Sequence, residues 1–519
     1  MNTRLAWLLV VGGILVGSAW YLSHQLQPKP MPESPVARRP APVVPGASEG
    51  ELDYIRTAEL VADPLERCKQ YPPPHGFEWS REMTDLLCED FLLPGLSRSR
   101  VRNWIKDGQA ETLDAHFDSL LERYLDGSVP EGYFWNSYTR HFEVSDTAIR
   151  HLLDQWAAQR PDSAHAQLAL AYHHLANAWV YRGDKYLSEV SVEDRSRMRD
   201  EVRRAENAAV RAIELNKRLL PAYSVPTRLV PLGAMRQRAE SLAATALTLA
   251  PDSYLIRVAM MFPATPMWGG SNKEMDAIAD DGMRHVRSNP RMHMLKAEAL
   301  GERAMPFHQD DRDVEASQLF EAGLAHGPLV RFLRWGSVSQ RDSGNYARAV
   351  EYMSQTLRFF PNNEDVRVGR AVALAKLGLK DWALEELERV VSRGDNSNSY
   401  AVRQHVWLLI NMTRFEETEA RLLQLLPSDP GNRWVNLELA KLYLYRLRRI
   451  EKAKPHIDTL FAKNPDDGAA LLLQLDYIQN TDGRGLRELA ERFVLHADES
   501  DPEQKSALPK VKAWLATHK

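Results

Sequence analysis

Cysteine is nearly absent, with two in 519 residues. That is too few for a disulfide-stapled scaffold or for an all-thiolate, four-ligand zinc site. A surplus of either charge is absent too: 66 Lys+Arg stand against 70 Asp+Glu, a formal net charge of −4. A dedicated nucleic-acid binder would show a basic excess, so that class is excluded. The commonest catalytic motifs are missing. There is no His-Glu-x-x-His, no glycine-rich phosphate loop opening a helix and no Gly-x-Ser-x-Gly elbow. What is present is an ordinary globular composition, 44% apolar and 26% charged, in a chain too long for one core. Several domains or one extended repeat array are expected.

The N-terminus departs from that average. Leu5 to Leu22 holds no charged residue, with Trp7 near one end and Trp20-Tyr21 at the other. As a helix it is just long enough to cross a hydrocarbon core, with rings at headgroup depth. A cleavable signal peptide is the rival reading, since Gly17 and Ala19 are spaced like a cleavage site. Length and the aromatic pair favour the anchor. Arg4 lies close to the span and Lys29, Arg38 and Arg39 farther off, which places the bulk of the chain outside the cytoplasm. The expectation is a single-pass protein of a bacterial inner membrane with its bulk in the periplasm. Seven prolines between Pro28 and Pro45 then make a semi-rigid tether.

Beyond Glu51, apolar residues recur at three- and four-residue spacing almost everywhere, and no alternating run suggests a strand. The fold class expected is all-α. In the C-terminal part the beats repeat: Gly344-Asn345-Tyr346, Ala349, Met353 and Pro361; Gly378 and Ala383; Phe415, Leu422 and Pro430; Ile450, Ala453, Leu460 and Pro465. A small residue is needed where the helices of a hairpin touch, and proline closes the second helix. This pattern resembles the tetratricopeptide repeat superfamily. The resemblance implies at least four helical hairpins over 328 to about 478, in an α-α superhelix that binds protein partners.

Weaker versions of the same beats occur at Ala205-Ala209-Ala212, at Ala239-Ala243-Ala246 and around Leu153-Trp156, with insertions at 181–195 and 262–275. In Pro266-Met267-Trp268-Gly269-Gly270-Ser271-Asn272-Lys273-Glu274-Met275, Ser271 and Glu274 form a capping box. With Trp104 to Gly108 and Leu152 to Ser163, this motif resembles a family of proteobacterial helical domains of unknown function, over about 98–290. That family implies no activity. The Trp-Gly-Gly-Ser stretch is read as a structural turn with Trp268 packed beneath it.

Candidate chemistry is thin. His173 and His174 are adjacent, so they diverge by about 100° on a helix and make a poor ligand pair. His308, Asp310, Asp311 and Asp313 fit no calcium loop and read as a solvated connection. Cys68 and Cys88 couple if the chain is exported and stay reduced and buried if it is not. Aligning Pro361 with the closing proline of the consensus puts Arg331, Arg334 and Arg341 on the inner face of one first helix. Arg403, Trp407 and Asn411, then Tyr445 and Arg446, follow on the next ones. A basic groove with aromatic rings would take an acidic peptide; the competing reading pairs these arginines with neighbouring glutamates.

The organisation expected is an anchor or signal (1–27), a proline-rich linker (28–50), a small helical segment with the cysteine pair (51–97), an irregular helical-repeat domain (98–327) and a tetratricopeptide repeat domain (328–519). The function expected is a membrane-anchored scaffold that binds another protein and serves in envelope complex assembly. A cell-envelope enzyme with its site in the middle region is the alternative. The sequence implies no cofactor, metal, small-molecule substrate or nucleic acid.

Overall fold

The computed structural model describes residues 49–184, 186–392, 399–481 and 484–518. The expected anchor at Leu5–Leu22 and the proline-rich linker lie outside the described residues. Among those described, no helix is long and apolar enough to cross a membrane, and none of them is in a strand.

The helices are α1 (Glu49–Glu59), α2 (Pro64–Gln70), α3 (Arg81–Leu92), α4 (Arg98–Lys106), α5 (Ala110–Leu125), α6 (Glu131–Phe142), α7 (Thr147–Gln159), α8 (Ala164–Arg182) and α9 (Val192–Leu215). There follow α10 (Pro221–Leu229), α11 (Arg236–Leu249), α12 (Tyr254–Ala264), α13 (Asn272–Met283), α14 (Met294–Gln309), α15 (Asp313–Leu324), α16 (Val330–Asp342) and α17 (Tyr346–Phe359). The last are α18 (Glu364–Lys376), α19 (Lys380–Val391), α20 (Ser399–Asn411), α21 (Phe415–Leu425), α22 (Arg433–Lys441), α23 (Ile450–Lys463), α24 (Gly468–Gln479), α25 (Leu486–His496) and α26 (Pro502–Thr517).

Local chemistry sets the hairpins. Between the two helices of successive pairs one residue takes a left-handed conformation: Asp311, Gly344, Gly378, Thr413, Arg448 and Gly485, at intervals of 33 to 37 residues. Glycine adopts it freely, and short polar side chains tolerate it better than β-branched ones such as Thr413. The first helices α22 and α24 open on oxygen caps. Asn432 accepts from the Val435 amide at 3.1 Å and Asp467 from the Ala469 amide at 3.0 Å. The small positions Ala349, Ala383 and Ala453 are fully buried at the helix contacts.

The chain divides into two compact units between Ala373 and Leu374, inside α18. The sequence placed the boundary at 327/328. The reason for the difference is that α1, α2 and α3 pack on α17, so the pair α16–α17 belongs to the first unit. That unit has one continuous core from Cys68 to Phe359. The core of the second includes one cluster centred on Leu422, Leu439 and Ile457 and another on Leu471 and Phe493. The Sγ atoms of Cys68 and Cys88 are 2.06 Å apart, and both residues are fully buried.

Candidate functional site

In the second unit the first helices carry their outward residues in rows. On α20, Arg403, Trp407 and Asn411 recur every fourth residue, so they share one side of the helix. On α22 the row is Trp434, Glu438 and Lys441, and it continues to Tyr445 in a π-helical turn, Leu442–Arg446. Such turns insert an extra residue and often sit at functional sites. The rows meet: the Arg403 guanidinium lies 5.2 Å from the Trp434 ring centroid. On α24, Asp476 accepts from the Tyr445 hydroxyl. Lys441 pairs with Glu503 of α26 at 2.6 Å. Asn411 donates to the Trp407 carbonyl at 2.8 Å and accepts from Lys380 at 3.3 Å through its own carbonyl.

Trp407 stays 45% exposed and Tyr445 40%, with Arg403 and Arg446 exposed beside them. Two rings and two cations are thus left partly open to solvent. The face is not uniformly basic, because Glu438 and Asp476 lie within it. Burial pushes both carboxyl groups above their ordinary range, against the opposing pull of Lys441 on the first and the Tyr445 hydrogen bond on the second. Trp434, Glu438, Lys441 and Asp476 were not singled out from the sequence, although the 434-438-441-445 spacing marks a single helix face.

The remaining three predicted positions belong to the first unit and are spoken for. Arg331 Nη2 sits 2.6 Å from both Glu298 and Glu302 on α14. Arg341 pairs with Asp342 at 2.8 Å. Arg334 lies 5.5 Å from the Trp335 ring, and burial lowers its guanidinium pKa to about 10. For Arg331 and Arg341, pairing with neighbouring carboxylates describes the geometry.

Several polar sets in the first unit resemble catalytic groupings, built on buried rings, although Asp118 in one of them is exposed. Ser339 Oγ is 2.8 Å from His308 Nδ1, with Asp313 3.8 Å from the same nitrogen. A serine hydrolase needs serine and carboxylate on opposite ring nitrogens, and Ser339 is fully buried. His308 and Asp313 therefore correct the solvated reading of this stretch, which holds only for Asp310 and Asp311. Tyr138 meets His165 Nδ1 at 2.6 Å and Asp118 meets Nε2 at 3.0 Å, with Tyr138 fully buried. His173 bonds the Val144 carbonyl at 2.7 Å, while His174 turns to Glu201 at 2.6 Å. Among the described residues no set of three His, Cys, Asp or Glu could hold a metal ion.

The Trp-Gly-Gly-Ser stretch is a turn. Gly269 has φ +84°, and a Cβ on Gly270 would lie 2.2 Å from the Ala264 carbonyl oxygen. Ser271 and Glu274 close the capping box, and Trp268 packs against Trp179 and Phe262 at 5.8 and 6.0 Å.

Two family models match the chain. Residues 97–234 match a domain of unknown function (DUF4034), and residues 340–404 match the tetratricopeptide repeat. The first match ends before the Trp-Gly-Gly-Ser turn. No curated protein matches. Among solved structures the chain is similar to the APC/C hetero-tetramer Cut9–Hcn1, with 14% identity over 89% of this chain and 82% of that one, TM-score 0.31. It is also similar to the TPR domain of P58(IPK), with 10% identity over 78% and 99% of the two chains, TM-score 0.26. Both lie below the identity and score at which a shared architecture could be read.

Proposed function

We propose that this chain is a tethered tetratricopeptide-repeat scaffold that binds another protein on the first-helix face of its C-terminal unit. The observation that carries the reading is the pair of exposed rings, Trp407 and Tyr445, in rows flanked by Arg403 and Arg446. Interface hot spots are enriched in Trp, Tyr and Arg, and arginine grips carboxylates in bidentate fashion. The ligand is a peptide or helix that brings apolar side chains to the rings and carboxylates to the two arginines. The tether is the Leu5–Leu22 stretch with its proline-rich spacer, in a bacterial inner membrane, with the bulk of the chain in the periplasm and a role in envelope complex assembly. The Cys68–Cys88 pairing supports an oxidising compartment.

Two measurements test this. A reporter enzyme active only in the periplasm, fused after Lys519, is expected to be active; activity from a cytoplasmic reporter instead would overturn the topology. Partner capture from solubilised membranes is expected to fall with Arg403→Glu plus Arg446→Glu, with more loss at low salt than at high salt. Capture unchanged by that double reversal, with helicity retained, would move the binding face elsewhere.

A further inference from the structure

The hairpin of α8 and α9 outgrows the rest of its unit. Its helices run 19 and 24 residues, while the other helices of that unit run from 7 to 16. The inner part is packed: Ala164 to Ala178 on α8 and Met198 to Ala212 on α9 supply most of its buried positions, with Arg182 and Val190 buried nearer the tip. Toward the tip the packing thins, and Val192 to Arg197 contain no buried residue. Here stand Val180, Tyr186, Leu187 and Val192, four of the fourteen large apolar side chains exposed among the described residues. Val192 is 73% and Tyr186 60% exposed. Scattered apolar residues on a surface mean little, but a cluster rimmed by polar groups marks an interaction site.

The turn that presents them is braced. Arg195 donates to the Leu187 carbonyl at 3.3 Å, the Tyr186 amide to Glu189 at 3.1 Å and the Asp194 amide to Ser191 Oγ at 3.0 Å. On α9 the exposed residues Val192, Ser196, Arg199 and Arg203 form one stripe, with small Ser196 one turn in from the tip. Charge from the connecting turn into this helix is graded. Glu189, Glu193 and Asp194 lie at the tip, and Arg195, Arg197 and Arg199 follow over the next two turns. Arg197 is already paired with Glu193; Arg195 and Arg199 enter no ion pair among the described residues.

A surface that is acidic at its end and basic one to two turns behind it complements itself when laid antiparallel on its own copy. A lipid surface would instead meet the carboxylates first. We propose that the α8–α9 tip is a self-association surface, on which two copies of the chain pack their hairpins antiparallel about a twofold axis near Val192. The four helices enclose Val180, Tyr186, Leu187 and Val192 and set Glu189 and Glu193 of one copy beside Arg195 and Arg199 of the other. Closed twofold contacts of this kind are the commonest in soluble assemblies.

The test uses the full chain in detergent. Val192→Cys is expected to give a covalent dimer on mild oxidation, whereas Leu249→Cys, also at an exposed apolar position, does not. Leu187→Asp plus Val192→Asp is expected to shift sedimentation from dimer to monomer with circular dichroism unchanged. Arg195→Glu plus Arg199→Glu weakens the dimer, and adding Glu189→Arg and Glu193→Arg restores it. Equal cross-linking at 192 and 249, or sedimentation insensitive to the tip substitutions, would overturn the proposal. So would a position-192 cysteine that fails to cross-link but is shielded from maleimide by phosphatidylcholine vesicles, which would identify a lipid surface as the occupant.

Discussion

Arg358 Nε donates a 2.7 Å hydrogen bond to the carbonyl oxygen of Cys68, a residue 290 positions earlier. It is one of a series that fastens residues 52–91 along the outer side of α17. Gln355 donates to the Pro72 carbonyl at 2.6 Å, Glu351 accepts from the His75 amide at 3.1 Å and from the Tyr54 hydroxyl at 2.9 Å, and Arg370 of the following helix α18 pairs with Glu59. The face of α17 that a repeat array would leave toward solvent is thereby buried, and burial lowers the Arg358 pKa to about 10.

Because the Cys68–Cys88 bond closes this segment, its removal is expected to matter. Cys68→Ser plus Cys88→Ser should lose about 3 kcal/mol, the loop-closure term for a loop of this length. Thermal melting measures the loss. Amide exchange should rise first in residues 60–79. Alkylation without reductant should add no mass to the wild-type chain; a chain that takes up two alkyl groups would show the pair to be reduced.

A second expectation concerns the buried ion set joining α3, α6 and the turn before α14. Arg291 holds Asp90 at 2.9 Å and Glu131 at 3.3 Å, all three at most 5% exposed. Asp90 also accepts from the Tyr133 amide at 3.0 Å, and Glu131 from the Tyr254 amide at 3.2 Å. Arg291→Met strands two carboxylates in a buried site and should cost about 3–5 kcal/mol. Replacing all three by apolar residues of similar size should cost less than the single change. Chemical denaturation of the variants orders the two.

A third concerns packing in the array. Ala349 is fully buried on α17, so Ala349→Trp must displace backbone and should cost about 1–3 kcal/mol or more. Neighbouring helical pairs stabilise one another, so the loss should spread to α16 and α15 within the same unit. An unchanged melting midpoint would contradict the repeat register.

A fourth is a pH dependence. His405 is 7% exposed, and neither ring nitrogen has a hydrogen-bond partner among the described atoms. Burial, helped by Arg421 and Arg414, lowers its pKa from 6.5 to about 4. The unfolded chain therefore takes up a proton below pH 6.5 that the folded chain refuses until about pH 4. Stability should fall as pH drops through that window. His405→Leu should flatten the acid limb of the melting curve against pH.

Much of the C-terminal architecture was legible because its signals are local. Tyr346, Phe415 and Ile450 open the second helices that the beats placed there, and the closing prolines 361, 430 and 465 lie just beyond those helices. The unit boundary was not legible. It depends on contacts such as Arg358 with Cys68 and Tyr54 with Glu351, which leave no trace in spacing. The arginines were only half readable. Periodicity put Arg331 on a helix face, but its partners Glu298 and Glu302 come from another hairpin. Glu438 and Asp476 escaped notice because a groove defined by its arginines hides the carboxylates between them.

The most direct test of the scaffold reading places a photo-cross-linking residue at position 407, on the first-helix face, and at position 423 on α21, where Leu423 is comparably exposed at 41%. Irradiated in intact cells, the 407 variant should yield a discrete adduct to one protein, lost on adding Arg403→Glu and Arg446→Glu, while the 423 variant yields none. Adducts from 423 alone, or from both positions irrespective of the arginines, would contradict a ligand on that face.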